Sequence, residues 1–87
     1  MEKQVVIMNE TGLHARPAAL FVQTANRYKC NITISKEGKS ANAKSIMGIL
    51  SLGVGRGNKI NIQTNGIDEE KALDELVGLI EGKFGEK

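Results

Sequence analysis

Residues 31–36 read Asn-Ile-Thr-Ile-Ser-Lys (NITISK), and residues 59–64 show the same pattern as Lys-Ile-Asn-Ile-Gln-Thr (KINIQT). In both stretches isoleucines alternate with polar residues, which is typical of a strand with one buried and one hydrated face. Such strands favour an antiparallel sheet, because parallel sheets are covered on both sides and have more continuous apolar strands. The helices must then cover the other face, so these stretches predict a two-layer α+β fold.

The first half of the chain supplies two more strands and a helix. Residues 3–8 (KQVVIM) predict a strand, and residues 40–43 predict a short strand that returns from a turn at 37–39. Apolar residues at helical spacing predict an amphipathic helix that has Pro17 in its first turn and ends near Tyr28. Its buried stripe comprises Ala18, Phe21, Val22 and Ala25.

Two further helices are predicted in the second half. Ser45 is a natural N-cap and Gly53 a natural residue just beyond the C-terminus of a short helix of about two turns. After the turn at Asn65-Gly66, Asp68 is predicted to cap a final helix with a buried stripe of Leu73, Leu76, Val77 and Ile80. The order is β-α-β-β-α-β-α. We expect a single domain over residues 1–87, an open-faced β-sandwich with a four-stranded antiparallel sheet covered on one face by three helices.

Composition excludes several classes of function. The net charge is +2 and only 3% of the residues are aromatic, which argues against nucleic acid as a partner. The single cysteine, Cys30, and single histidine cannot form an internal disulfide or a structural zinc site, so we expect no metal and no cofactor. No apolar leader and no membrane-spanning run is present, which predicts a cytoplasmic protein without membrane insertion.

Residues 11–18, Thr-Gly-Leu-His-Ala-Arg-Pro-Ala, contain the only histidine and the only proline. His14 precedes a helix whose first amides, beginning with that of Ala15, lack intrahelical partners and carry partial positive charge. Arg16 can offer a two-pronged guanidinium to an anion. A dianionic phosphoryl group on the imidazole would be received by the amides and by Arg16, and the same positive potential favours a neutral, nucleophilic His14.

No acid–base partner for His14 lies nearby in the sequence, so a hydrolase is less favoured than a reversible carrier. The residues alone indicate an anion or phosphoryl site at His14, with an ordinary surface histidine as the alternative.

The strings TGLHARPAA (residues 11–19) and KSIMGILSLG (residues 44–53) resemble the HPr family, the histidine-containing phosphocarriers of the bacterial phosphoenolpyruvate:sugar phosphotransferase system. The resemblance covers essentially the whole chain. It implies that His14 accepts a phosphoryl group on Nδ1 from phosphorylated Enzyme I and donates it to the A domains of sugar-specific Enzyme II permeases. It also implies that Arg16 accompanies the histidine. Such a protein is a substrate of its partner enzymes and not itself an enzyme.

The second string implies a regulatory role for Ser45. In the Gram-positive type of this family the matching serine is phosphorylated by an HPr kinase/phosphorylase, and the phosphorylated form is a corepressor for a catabolite-control transcription factor. A phosphate at this N-cap would be held by the amides of the short helix and would add negative charge to the docking face. The alternative is that Ser45 is only a helix cap.

The short helix has more apolar residues than one face can bury. We therefore predict that Ile46 and Met47, with Leu50, form an apolar docking patch near His14. We expect Arg16, Lys44 and Ser45 to surround it, with Thr11 also contributing to docking. The alternative is that all of the apolar residues belong to the core.

Two functions remain in competition at this point. One is the phosphocarrier, and the other is a regulatory protein that acts mainly through phosphorylated Ser45. A regulatory paralogue shares the fold and the serine motif but lacks the histidine, so the presence of His14 favours the carrier. We expect a monomer, because a carrier must expose His14 to several partners.

Overall fold

The computed structural model describes residues 1–86 and confirms the predicted element order and fold class. The four strands are β1 (Glu2–Val6), β2 (Asn31–Lys36), β3 (Lys39–Asn42) and β4 (Lys59–Asn65). The three helices are α1 (Ala15–Ala25), α2 (Ile46–Ser51) and α3 (Glu69–Glu81), and a single 3₁₀ turn follows at Lys83–Gly85.

The strands form one antiparallel sheet in the order β1-β4-β2-β3. Ile34 of β2 lies opposite Ile62 of β4, and the polar pair Ser35 and Asn61 follows on the opposite face. The isoleucines of both strands are buried, whereas the intervening residues are partly or fully exposed. The alternation of NITISK and KINIQT therefore sets both the register and the buried face.

The helices close the buried side of the sheet. Phe21 on α1 and Leu76 on α3 are completely buried, and each such side chain contributes about 1.5–3 kcal/mol to folding through its apolar area. The predicted stripe of α3 is buried throughout, and Val22 is the only member of the α1 stripe that is half-buried. None of the helices in residues 1–86 has the length and apolar character needed to cross a bilayer.

The predicted end of α1 near Tyr28 is wrong by three residues. Beyond Ala25 the chain continues in tighter turns, because the amides of Arg27 and Tyr28 donate to the carbonyls of Thr24 and Ala25. Such i→i−3 bonds are common where a helix ends, and an apolar stripe does not distinguish them from α-helix.

Asp68 occupies the N-cap position of α3, but its side chain does not cap that helix. The carboxylate instead accepts hydrogen bonds from the amides of Lys29 (2.8 Å) and Cys30 (2.9 Å), just before β2. The Lys29 amide is the main cause of a lowered pKa of Asp68. The prediction that the Asp68 side chain caps α3 is therefore wrong. Asp68 instead connects the start of α3 to the residues just before β2.

Candidate functional site

His14 is the N-cap residue of α1 and is exposed. Its backbone is extended (φ −126°, ψ 155°), and its side chain makes no capping hydrogen bond to the helix. The imidazole therefore belongs to the residue at the positive end of the helix dipole, and it does not cap the helix. The next residue, Ala15, has a left-handed backbone (φ 48°), which is unfavourable for a residue with a side chain.

The loop in front of His14 is fixed by the segment that follows α2. The Leu13 amide donates to the carbonyl of Val54 (3.0 Å), and the Leu13 side chain is buried. Gly12 has φ +67°, and a Cβ on it would lie 2.5 Å from the Val54 oxygen and 2.7 Å from the Cα of Gly55. Only glycine fits this close approach, so the position of His14 depends on backbone packing between two loops.

Arg16 is exposed on the first turn of α1. Among residues 1–86 its guanidinium has no carboxylate partner within salt-bridge distance, whereas Arg27 is paired with Glu75 (2.9 Å). The Arg16 side chain is therefore available to an incoming anion. His14, Ala15 and Arg16 are thus consecutive residues at the start of α1, and the anion site that they are predicted to form stays a prediction.

Ser45 is the N-cap of α2, and its Oγ accepts a hydrogen bond from the Gly48 amide (3.1 Å). The side chain of Asn26, at the C-terminal end of α1, donates to the Lys44 carbonyl (3.1 Å). Because α1 rises 1.5 Å per residue over the 12 residues from His14 to Asn26, these two residues are about 18 Å apart along the helix, and Ser45 directly follows the Lys44 that contacts the far end. The two candidate phosphorylation sites are therefore at opposite ends of α1.

Helix α2 runs antiparallel to α1, since Lys44 contacts the end of α1 and Val54 contacts the loop before its start. On α2, Ile46 is 39% exposed, Met47 73% and Leu50 37%, whereas Ile49 is fully buried. We call the first three residues the α2 patch. The predicted exposure is present, and the patch lies between the two sites.

The predicted ring around this patch is only partly formed near His14. Arg16 lies at the His14 end and Ser45 at the other end. Lys44 is half-buried at the Ser45 end, and its ammonium donates to the carbonyl of Tyr28 (2.6 Å). The Lys44 ammonium therefore lies at the C-terminal end of α1 and not beside His14. The prediction was wrong for Lys44 because the antiparallel course of α2 is not visible in the sequence. Thr11 is exposed on the loop before His14.

Cys30 is 2% exposed and lies just before β2. Burial is the main cause of a raised pKa of its thiol, and a hydrogen bond to Asp68 is the second cause. Cys30 is therefore a protonated, unreactive thiol at neutral pH. A Cβ on Gly66 would lie 2.8 Å from the Cys30 backbone, which shows how closely this turn packs.

Sequence reasoning missed the buried Asn9 and the carboxylate of Glu86, which contact each other beside the His14 loop. The two residues are 77 positions apart, and no local pattern links them. It also gave no role to Val54 and Gly55, just beyond the predicted helix end at Gly53, although they support the loop before His14.

The fold and site together define a small open-faced α+β sandwich with an exposed histidine at a helix start and a serine cap on a second helix. The family model described as "PTS HPr component phosphorylation site" matches residues 1–82, and the chain belongs to this family. The HPr-like protein Crh of Halalkalibacterium halodurans is 54% identical over 93% of this chain and 96% of its own length. The phosphocarrier protein HPr of Cupriavidus necator is 38% identical over 99% and 97%, respectively.

Solved structures give the same family. HPr from Thermoanaerobacter tengcongensis superposes with a TM-score of 0.99 at 56% identity, covering 100% of this chain and 98% of that one. An HPr dimer from the same organism has a TM-score of 0.82 at 58% identity, with 94% of both chains covered. A Crh structure from Bacillus subtilis, described as a dimer with a swapping domain, has a TM-score of 0.77 at 44% identity and 93% coverage of both. The expectation of a monomer is therefore not supported, since similar proteins form dimers.

Proposed function

We propose that this protein is a phosphocarrier that accepts a phosphoryl group on His14 from phosphorylated Enzyme I and donates it to Enzyme II A domains. The observation that carries the proposal is the His14 imidazole itself, exposed at the start of α1 and free of any capping bond. Membership of the HPr family supports this proposal, and Enzyme I as the donor and Enzyme II A domains as the acceptors are the partners that the family resemblance implies.

The transfer uses the lone pair of Nδ1 on His14. This lone pair attacks phosphorus while the bond from phosphorus to the donor breaks, and the bonding electrons leave with the donor. The new phosphoryl group carries negative charge next to the amides at the start of α1 and the exposed guanidinium of Arg16. The reverse arrangement delivers the group to the next partner, so the protein is a substrate of enzymes in both steps.

A regulatory function through Ser45 is the second candidate. It is favoured by the position of Ser45 at the N-cap of α2 next to the exposed Ile46 and Met47, and by the similarity to proteins named Crh. Phosphorylation of Ser45 by an HPr kinase/phosphorylase would add about two negative charges at one end of the α2 patch. A catabolite-control transcription factor is the partner class that such a modified surface would serve.

One phosphorylation experiment tests both functions. The wild type, His14→Ala and Ser45→Ala are incubated either with phosphoenolpyruvate and Enzyme I or with ATP and the serine kinase. A carrier acquires acid-labile phosphate in the first mixture, and only His14→Ala loses it. If the first mixture gives no acid-labile phosphate while the second gives acid-stable phosphate that is absent from Ser45→Ala, the carrier function is refuted and the regulatory function is supported.

A further inference from the structure

Asn9 is buried in the loop that leads to His14, with 1% of its surface exposed. Asparagine is seldom buried, because removing its amide from water is costly unless the amide is hydrogen-bonded. Its Nδ2 donates to the Gly12 carbonyl (2.9 Å) and to Oε2 of Glu86 (3.1 Å), and lies 3.4 Å from Oγ1 of Thr11. All three partners are acceptors, so the orientation of the amide group is determined by its surroundings.

Glu86 approaches the same loop from the end of the chain. Phe84 is 6% exposed and packs in the core, which anchors the 3₁₀ turn immediately before Glu86. The Oε2 atom of Glu86 accepts from Asn9 and also from the hydroxyl of Thr11 (3.0 Å). The Asn9 amide is the main cause of a lowered pKa of Glu86, so this carboxyl is ionised at neutral pH.

These contacts hold the His14 loop on one side, and the Val54 backbone holds it on the other. Gly12 takes part in both, since its carbonyl accepts from Asn9 and its Cα packs on Gly55. Gly12 is two residues before His14, so movement of Gly12 is transmitted to the histidine with only Leu13 between them.

On the basis of the proposed phosphocarrier function, we propose that Asn9 and Glu86 are positioning residues for phosphoryl transfer, which keep His14 in place by clamping the loop before it. They touch neither the imidazole nor the phosphoryl group in this role. The role requires an oxygen acceptor at position 86 rather than a negative charge, and this requirement separates it from a long-range electrostatic effect.

The test compares Glu86→Ala and Glu86→Gln with the wild type, and uses Glu81→Ala on the exposed end of α3 as a matched control. The steady-state rate of phosphorylation by Enzyme I is measured against the concentration of each variant. Positioning predicts that Glu86→Ala lowers kcat by about fivefold with KM within about twofold of the wild type, because misplacement lowers the reactive fraction. Glu86→Gln, which keeps an acceptor oxygen, restores most of this loss, and Glu81→Ala behaves as the wild type.

Amide hydrogen exchange supplies a readout that does not depend on Enzyme I. The clamp predicts that exchange at the Leu13 amide becomes about tenfold faster in Glu86→Ala and not in Glu81→Ala. Unchanged Leu13 exchange, a loss confined to KM, or a Glu86→Gln variant as slow as Glu86→Ala would each overturn the positioning role. If the wild type itself takes no phosphate at His14, the proposed function fails, and the exchange result still decides whether the clamp exists.

Discussion

Replacing Gly12 with alanine tests whether the loop before His14 depends on its contact with the segment after α2. The new Cβ would lie 2.5 Å from the Val54 oxygen, so one of the two loops must move. That movement breaks the 3.0 Å bond from the Leu13 amide to Val54, at a cost of about 1 kcal/mol. It also partly exposes the buried Leu13 side chain, which costs about 1–2 kcal/mol more. The left-handed backbone of Gly12 adds about 1 kcal/mol of strain for any residue with a Cβ.

We therefore expect Gly12→Ala to lower the free energy of unfolding by about 3–4 kcal/mol, which corresponds to a fall in Tm of about 12–32 °C for a domain of this size. Gly53→Ala is the matched control. Gly53 also has a left-handed backbone (φ +61°), but a Cβ there meets nothing within 4 Å, so only the strain of about 1 kcal/mol applies. Urea denaturation followed by circular dichroism measures both variants. Equal losses in the two would refute the close packing as the reason for glycine at position 12.

Three further predictions concern other parts of the structure. Ser45→Ala removes the hydroxyl that accepts from the Gly48 amide and is expected to lower the free energy of unfolding by about 1 kcal/mol in urea denaturation; no change would show that the cap is unimportant. Met47→Glu alters a 73% exposed side chain, so it should change the free energy of unfolding by less than about 0.5 kcal/mol. It should nevertheless slow phosphoryl exchange with Enzyme I, and an unchanged rate would show that the α2 patch is not a docking surface. Asp68→Asn should destabilise the protein at pH 7. Because the pKa of Asp68 is lower in the folded than in the unfolded state, the advantage of the wild type is complete above the unfolded value of about 4 and disappears as pH falls through the folded pKa. Urea midpoints of both proteins from pH 7 to pH 2 measure this, and a constant difference would contradict the assignment.

The elements of this fold could be predicted because local patterns determine them. Alternating isoleucines in β2 and β4 are sufficient for the buried face, and Ser45 lies at the helix start where its hydroxyl can accept an amide. Helix ends were less predictable. The apolar stripe of α1 continues into turns of a different type beyond Ala25, and side-chain spacing alone carries no information about that change.

The supports of the site could not be predicted because they join distant parts of the chain. Asp68 has the sequence context of a helix cap, yet the amides of Lys29 and Cys30 lie closer to its carboxylate once the sheet is formed. The contact between Asn9 and Glu86 likewise exists only after the C-terminal turn packs beside the first loop. Competition between local and tertiary partners is decided by the whole fold.

The distance between His14 and Ser45 limits how one modification can influence the other. Two dianions about 18 Å apart in water repel each other by about 1 kcal/mol, and screening at physiological ionic strength reduces this to about 0.1 kcal/mol. A phosphate on Ser45 is therefore too far away to alter the phosphohistidine bond directly. The α2 patch lies between the two sites, so a partner that covers both ends of α1 contacts the patch and both modified residues. Under the proposed function, antagonism between the two phosphorylations is therefore expected in the KM for Enzyme I, because it acts on the docking of a shared partner and not on His14 itself.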